Sequence, residues 1–152
     1  MSVELHELYN DLESTMMQLF NRYSERCNRK CRYHDVTLYQ NEIRTVEYIA
    51  VSSATNFTDI ASHTGLTRSA VSKMISKLEG MGLLVRYKYY PSQKEVYVHL
   101  TEEGVKAYES WKACRKPMEQ HLRRFLSSIP ENESTAIRNY LSIYLDEMQM
   151  LP

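Results

Sequence analysis

All four glycines of this 152-residue chain, Gly65, Gly80, Gly82 and Gly104, lie between positions 65 and 104. Glycine marks tight turns and helix stops because it adopts left-handed backbone without a Cβ penalty. Their placement therefore concentrates sharp turns in the middle of the chain and predicts long uninterrupted helices on both sides. Leu5, Leu8, Leu12, Met16, Leu19 and Tyr23 recur at steps of three and four, a helical apolar stripe close to heptad spacing. Val105, Tyr108, Trp111, Arg115, Met118, Leu122 and Phe125 form a second run, within which Pro117 is expected to kink or break the helix. A third run, Ile137, Leu141, Tyr144, Met148 and Leu151, is opened by Pro130 with Glu131 and Glu133 beside it. Three such stripes exceed what one small lobe can cover, so part of this surface is expected to bury itself against a second copy of the chain. A compact monomeric bundle is the alternative.

The middle has a different texture. Thr37 with Gln40 three residues later reads as a capping box before Leu38, Ile43, Val46, Ile49 and Ala50. Thr58 is placed to cap a short helix through Ile60 and Ala61 that stops at Gly65. Thr67 then caps a helix running to about Met81, with Gly82 as its stop. Two helices joined by a short turn containing glycine form a helix-turn-helix. Beyond Gly82, VRYKY and EVYVHL alternate with period two around PSQK and read as a β-hairpin. The expected fold is mainly α with a small β-hairpin wing, a winged helix-turn-helix lobe plus a helical dimerisation lobe. Its boundaries are residues 1–36, 37–100 and 101–152, the first and last belonging to the dimerisation lobe.

On a helix over 67–81, Val71, Ile75 and Leu78 make an apolar seam that must face the lobe's own core. The opposite face carries Ser69, Ser72, Lys73 and Ser76, flanked by Arg68 and Lys77. Short hydroxyls let a helix backbone approach a partner closely, and the longer basic chains then reach base edges or phosphates. A merely solvated face usually mixes Glu with Lys, yet Glu79 is the only acid between 60 and 94. The whole chain balances 19 basic against 19 acidic residues, but 57–98 holds six basic residues against Asp59, Glu79 and Glu95. A polyanion feels that local field, not the chain average. The candidate contacts to double-stranded DNA are Thr67, Arg68, Ser69, Ser72, Lys73, Ser76 and Lys77, with Arg86, Lys88 and Lys94 from the wing.

The stretch FTDIASHTGLTRSAVSKMISKLEGMGLLVRYKYYPSQKEVYVHLTEEG resembles the core of MarR-type transcriptional regulators. The resemblance implies a homodimer whose recognition helices enter successive major grooves of a pseudo-palindromic operator, with half-sites roughly ten base pairs apart. It also implies a repressor answering to a small aromatic or phenolic effector held between the lobes, where Tyr23, Tyr33, Tyr39 and Tyr48, with Arg26 or Arg32, are the candidate pocket. A tyrosine-rich helix junction that is simply core is the plainer reading. The wing departs from the family pattern. Where the family has Asp-x-Arg, with the arginine entering the minor groove, this chain has Ser92, Gln93 and Lys94. Lys94 still neutralises a phosphate but lacks the flat guanidinium that suits narrow minor grooves. Tyr87, Tyr89 and Tyr90 are expected to stiffen the hairpin by cross-strand packing.

ERCNRKCRYH, residues 25–34, is the other unusual stretch. Cys27 and Cys31 share a face if the first helix runs that far, and four neighbouring basic side chains favour thiolate, which makes them candidates for a redox sensor. Helical i, i+4 Cβ atoms stay about 5–6 Å apart, whereas a disulfide wants about 3.8 Å, so a bridge would unwind that turn or use Cys114 or a second copy's cysteine. A metal site would add His34, with Cys114 or His121 as a further ligand, but no CxxC pair supports it. Small packing residues beside a solvated basic turn is the plainest alternative.

Other classes fare poorly. His6, His34, His63, His99 and His121 are scattered, and no Gly-rich phosphate loop, nucleophile motif or HExxH site appears, so no catalysis and no cofactor are expected. No apolar run approaches the roughly 18 residues of a membrane span. The acidic start, MSVELHELYND, is unlike a signal peptide, so the chain is expected to be cytoplasmic. A winged-helix module for protein contacts alone would not need the basic bias.

Overall fold

The computed structural model describes residues 3–88 and 94–150. The chain runs α1 (Val3–Cys27), β1 (Lys30–Tyr33), β2 (Val36–Tyr39), α2 (Gln40–Val51), β3 (Thr55–Asn56), α3 (Phe57–Thr64), α4 (Arg68–Gly80), β4 (Leu84–Lys88), β5 (Val96–Leu100), α5 (Glu102–Ser128) and α6 (Glu131–Met150). It divides into two compact units, Met1–Trp111 and Lys112–Pro152, so α5 begins in the first and ends in the second. None of the described helices is long and apolar enough to cross a membrane.

In the first unit, α4 starts where the sequence places it: Thr67 Oγ1 accepts the Ala70 amide at 3.2 Å. The helix stops before Gly82, whose φ of 73° lies in the left-handed region. The start of α3 differs from expectation. Asn56, not Thr58, caps it by accepting the Asp59 amide at 2.9 Å, while Asp59 accepts the Asn56 amide at 3.1 Å. The Asx side chain two residues upstream wins because it closes a reciprocal box.

The Thr37–Gln40 box is also corrected. Residues 36–39 form a strand paired with β1, in the register Lys30↔Tyr39 to Tyr33↔Val36. This hairpin commits the Thr37 backbone to extended geometry, and α2 begins only at Gln40 with Glu42 accepting the Tyr39 amide at 2.8 Å. Residue spacing alone gives no sign of this strand pair.

The wing is the expected antiparallel pair, Leu84↔Leu100 to Lys88↔Val96, and β3 adds a short third strand on the far edge of β5. Leu38, Ile43, Val46, Ile60, Val71, Ile75, Leu78, Leu83 and Leu84 are all fully buried. Each such side chain contributes about 1.5–3 kcal/mol of burial, so the Val71–Ile75–Leu78 seam locks α4 with its other face outward.

The start of α5 is pinned to the turn after α4. The Thr101 amide donates to the Leu83 carbonyl at 3.0 Å, and Thr101 Oγ1 both donates to the Gly82 carbonyl at 2.5 Å and accepts the Gly104 amide at 3.2 Å. In the second unit α5 continues to Ser128 through Pro117. The expected break does not occur: the ring removes one backbone donor, and the turns on either side carry the helix past it. Pro130 accepts the Glu133 and Ser134 amides at 3.1 and 3.2 Å and starts α6.

Candidate nucleic-acid interface

The outward face of α4 divides into two parts. Over its first two turns Arg68, Ser69 and Lys73 are exposed, Ser72 is half-buried, and Thr67 stands at the N-terminal end as the cap. Arg68 and Lys94 line one cleft of about 330 Å³ with Asn56, Phe57, Thr58, Glu95 and Val96. The beginnings of α3 and α4 and the base of the wing thus present two cations to one recess. Lys88 is exposed on β4. Among the described residues, no ion pair holds Arg68, Lys73, Lys88 or Lys94.

The last turn of α4 is arranged differently. Ser76 Oγ donates to the Ser72 carbonyl at 3.0 Å and accepts Arg86 Nη2 at 2.6 Å. Arg86 also pairs with Glu79 at 3.0 Å and lies 5.5 Å from the Phe57 ring centroid. Lys77 pairs with Glu42 of α2, a carboxylate whose side chain is 8% exposed. Of the ten predicted contacts, Ser76, Lys77 and Arg86 are therefore engaged within the lobe, as is Thr67 through its cap on the Ala70 amide.

On the outer face of the wing, Tyr87 packs across the strands against Tyr97 at 5.8 Å and His99 at 5.1 Å, as expected for a stiffened hairpin. Tyr97 donates to Glu95 at 2.6 Å, a hydrogen bond that raises the phenol's pKa above its ordinary value. Tyr89, Tyr90, Ser92 and Gln93 lie outside the described residues.

The candidate effector residues make several separate contacts. Tyr33 is 4% exposed and meets Trp111 edge-on at 5.6 Å. The Tyr39 ring has two ammonium groups over it, Lys30 at 5.0 Å and Lys77 at 5.1 Å. Tyr48 stacks on His63 at 4.0 Å, and Arg26 is exposed in the last turn of α1. Tyr23 lines a cavity of about 100 Å³ with Asn41, Arg44, His63 and Thr64. Burial, and after it the neighbouring Cys27, pushes the Tyr23 phenol's pKa up.

Cys27 ends α1 and Cys31 lies on β1, so the two do not share a helical face. Cys27 Sγ lies 3.8 Å from Asn41 Oδ1, and Cys31 is exposed. Neither belongs to the grouping of metal-capable side chains found among the described residues, which is His34, Asp35 and Glu103 with donor atoms within 4.8 Å. There Asp35 already faces Arg32 at 3.6 Å and Glu103 faces Lys106 at 2.7 Å. Sequence reasoning misses Glu42 and Asn56. The N-x-x-D spacing of Asn56 and Asp59 is a readable signal, whereas the reach of Glu42 to Lys77, 35 residues on, is not.

Two helices joined by a glycine turn, the second with a polar outward face, followed by a two-stranded hairpin, define a winged helix-turn-helix. Residues 38–96 match the model of the MarR family. It is 31% identical over 96 residues to the uncharacterized HTH-type transcriptional regulator YhjH of Bacillus subtilis, covering 63% of this chain and 55% of that one. It is 35% identical over 66 residues to the HTH-type transcriptional regulator FarR of Neisseria gonorrhoeae, covering 43% and 45%. The matches thus span about half the length of these relatives. The structure of Streptococcus pneumoniae FabT in complex with DNA superposes with a TM-score of 0.67 over 95% of this chain and 99% of that one. At 20% identity this shows a shared fold.

Proposed function

We propose that this protein is a sequence-specific DNA-binding transcriptional regulator, a repressor acting as a homodimer on a pseudo-palindromic operator. The observation that carries the reading is the two-sided α4. Val71, Ile75 and Leu78 are fully buried, while Arg68, Ser69 and Lys73 stand outward beside the cleft shared by Arg68 and Lys94. Such a face fits the major groove: hydroxyls and basic chains meet base edges, and the flanking cations of the wing meet phosphates.

The dimer reading rests on the terminal helices. α1 and α6 contain no buried residue. Leu5, Leu8, Leu19 and Tyr23 on α1, Leu122 and Phe125 on α5, and Ile137 and Leu141 on α6 leave 39–56% of their surface exposed. Apolar surface on that scale marks an interaction site, and a two-fold pairing places two α4 helices on two half-sites. A dimer seated across two turns of duplex excludes competing proteins, which makes repression its simplest output. A small ligand is the proposed input. The Tyr23–Arg44–His63 cavity is below the roughly 300 Å³ of an ordinary ligand site, so an aromatic or phenolic effector enters it only as the surrounding helices part.

Fluorescence-anisotropy titration against DNA flanking the protein's own gene, in reductant and at several salt concentrations, tests this reading. Tight binding whose logarithm falls linearly with log salt is expected. Absence of binding to any duplex refutes it.

A further inference from the structure

Resting on the DNA-binding reading, we infer that Lys77 is an anchor of the recognition helix rather than a phosphate contact, and that Glu42 is a positioning residue for DNA recognition. By sequence Lys77 belongs with the other basic residues of α4, one turn on from Lys73. The structure gives its ammonium a different partner. Both oxygens of the buried Glu42 carboxylate are committed: Oε2 accepts the Tyr39 amide at 2.8 Å, and Oε1 accepts Lys77 Nζ. The same ammonium stands 5.1 Å from the centroid of the Tyr39 ring, whose other cation is Lys30 at 5.0 Å.

A buried carboxylate stays ionised only with a countercharge and filled hydrogen bonds. Lys77 cannot swing to a phosphate without orphaning it. A second contact lies on the same flank of α4, one turn earlier: Thr45 Oγ1 of α2, which donates to the Asn41 carbonyl at 2.9 Å, also packs 3.0 Å from Met74 Sδ. The opposite flank is held by Arg86, through Ser76 and Glu79. The recognition helix is thus braced from α2 on one side and from the wing on the other. Those braces set the direction in which Ser69, Ser72 and Lys73 point. Removing one lets α4 roll or tilt on its apolar seam, which misaligns the side chains that meet bases while leaving every phosphate partner in place.

The test uses the full chain and the operator found by the titration above. Lys77→Met, Glu42→Gln, the double variant and Lys73→Met are compared by anisotropy over a range of salt, on operator and on unrelated duplex. Circular-dichroism melting checks that each is folded. Lys77→Met and Glu42→Gln are expected to weaken operator binding by about tenfold, the size of one mismatched base pair. Their log–log salt slope should match wild type, and the operator-to-unrelated ratio should fall. The double variant should be no weaker than the weaker single. Lys73→Met should flatten the slope by about 0.9 for each phosphate it no longer neutralises.

A flattened slope in Lys77→Met, equal to that of Lys73→Met, overturns the inference while leaving the DNA-binding reading standing. Glu42→Gln with an unchanged operator-to-unrelated ratio also overturns it. If Lys77→Met does not fold because it orphans Glu42, the double variant, which removes both charges, carries the slope measurement in its place. A wild-type protein that binds no duplex defeats the DNA-binding reading and this inference with it.

Discussion

Gly104 offers a test in which two simple rules give opposite signs. It sits in the first turn of α5, where helix propensity alone favours Gly104→Ala by about 0.8–1 kcal/mol. The structure predicts the reverse. A Cβ at this position would lie 2.0 Å from the Leu83 carbonyl oxygen and 3.2 Å from Leu100 Cβ, and real Cβ contacts essentially never fall below 3.0 Å. The obstacle is backbone, and that carbonyl is already fixed by the Thr101 amide. To admit a methyl, α5 must separate from the turn after α4. That strains or breaks the Thr101 bond, a loss of about 0.5–1.5 kcal/mol. It also disturbs the packing of Leu83, Leu84 and Ala107, all fully buried, where overfilling costs about 1–3 kcal/mol. Less the propensity gain, the net loss is about 2 kcal/mol, or roughly 4–8 °C in melting temperature for a chain of this size. Urea unfolding followed by circular dichroism, at one fixed protein concentration, reads it directly. An unchanged or raised midpoint would show that α5 is not clamped against the turn, and the reasoning would be wrong.

The other expectations are smaller or more selective. Thr67→Ala removes the acceptor for the Ala70 amide and should cost about 1 kcal/mol in the same unfolding assay; no change would mean that water replaces the cap. Lys94→Ala should weaken DNA binding modestly and alike across sequences, with a slightly smaller salt slope, and a large sequence-selective loss would show the wing reading bases. Trp111→Ala, which empties a site 3% exposed against Tyr33, should cost about 3–5 kcal/mol, measured by urea midpoint; a loss below about 1 kcal/mol would contradict the packing described. With Cys27 Sγ set against Asn41 Oδ1 and Cys31 on a different element, the two are expected to act as packing residues, so mild oxidation should leave DNA affinity unchanged; a collapse that Cys27→Ser/Cys31→Ser prevents would make them the sensor.

What is legible in the sequence is what local chemistry controls. The Thr67 cap, the Gly65 and Gly82 stops, the Val71–Ile75–Leu78 seam and the alternating wing strands each follow from spacing within a few residues, and each is present. Misreadings arise where a distant partner decides. Thr37 has the spacing of a helix cap, but β1 pairs with it; Cys27 and Cys31 have the spacing of one helical face, but the same hairpin ends α1 between them. In the candidate interface the residue types are readable, but their allegiance is not. Arg86 and Ser76 lie 10 residues apart, and Lys77 and Glu42 35, so only the fold shows which basic chains are engaged inside the lobe. The tyrosines give the weakest signal: alike in sequence, they enter a core contact, a cation–π contact and a stacked pair.

The central claim is that the outward face of α4 reads the major groove. Dimethyl sulfate protection of guanine N7 on the operator tests it most directly, since that atom is exposed only there. Two protected clusters roughly ten base pairs apart, weakened in Lys73→Met, are the predicted result. Tight binding with every guanine N7 still reactive would contradict the account.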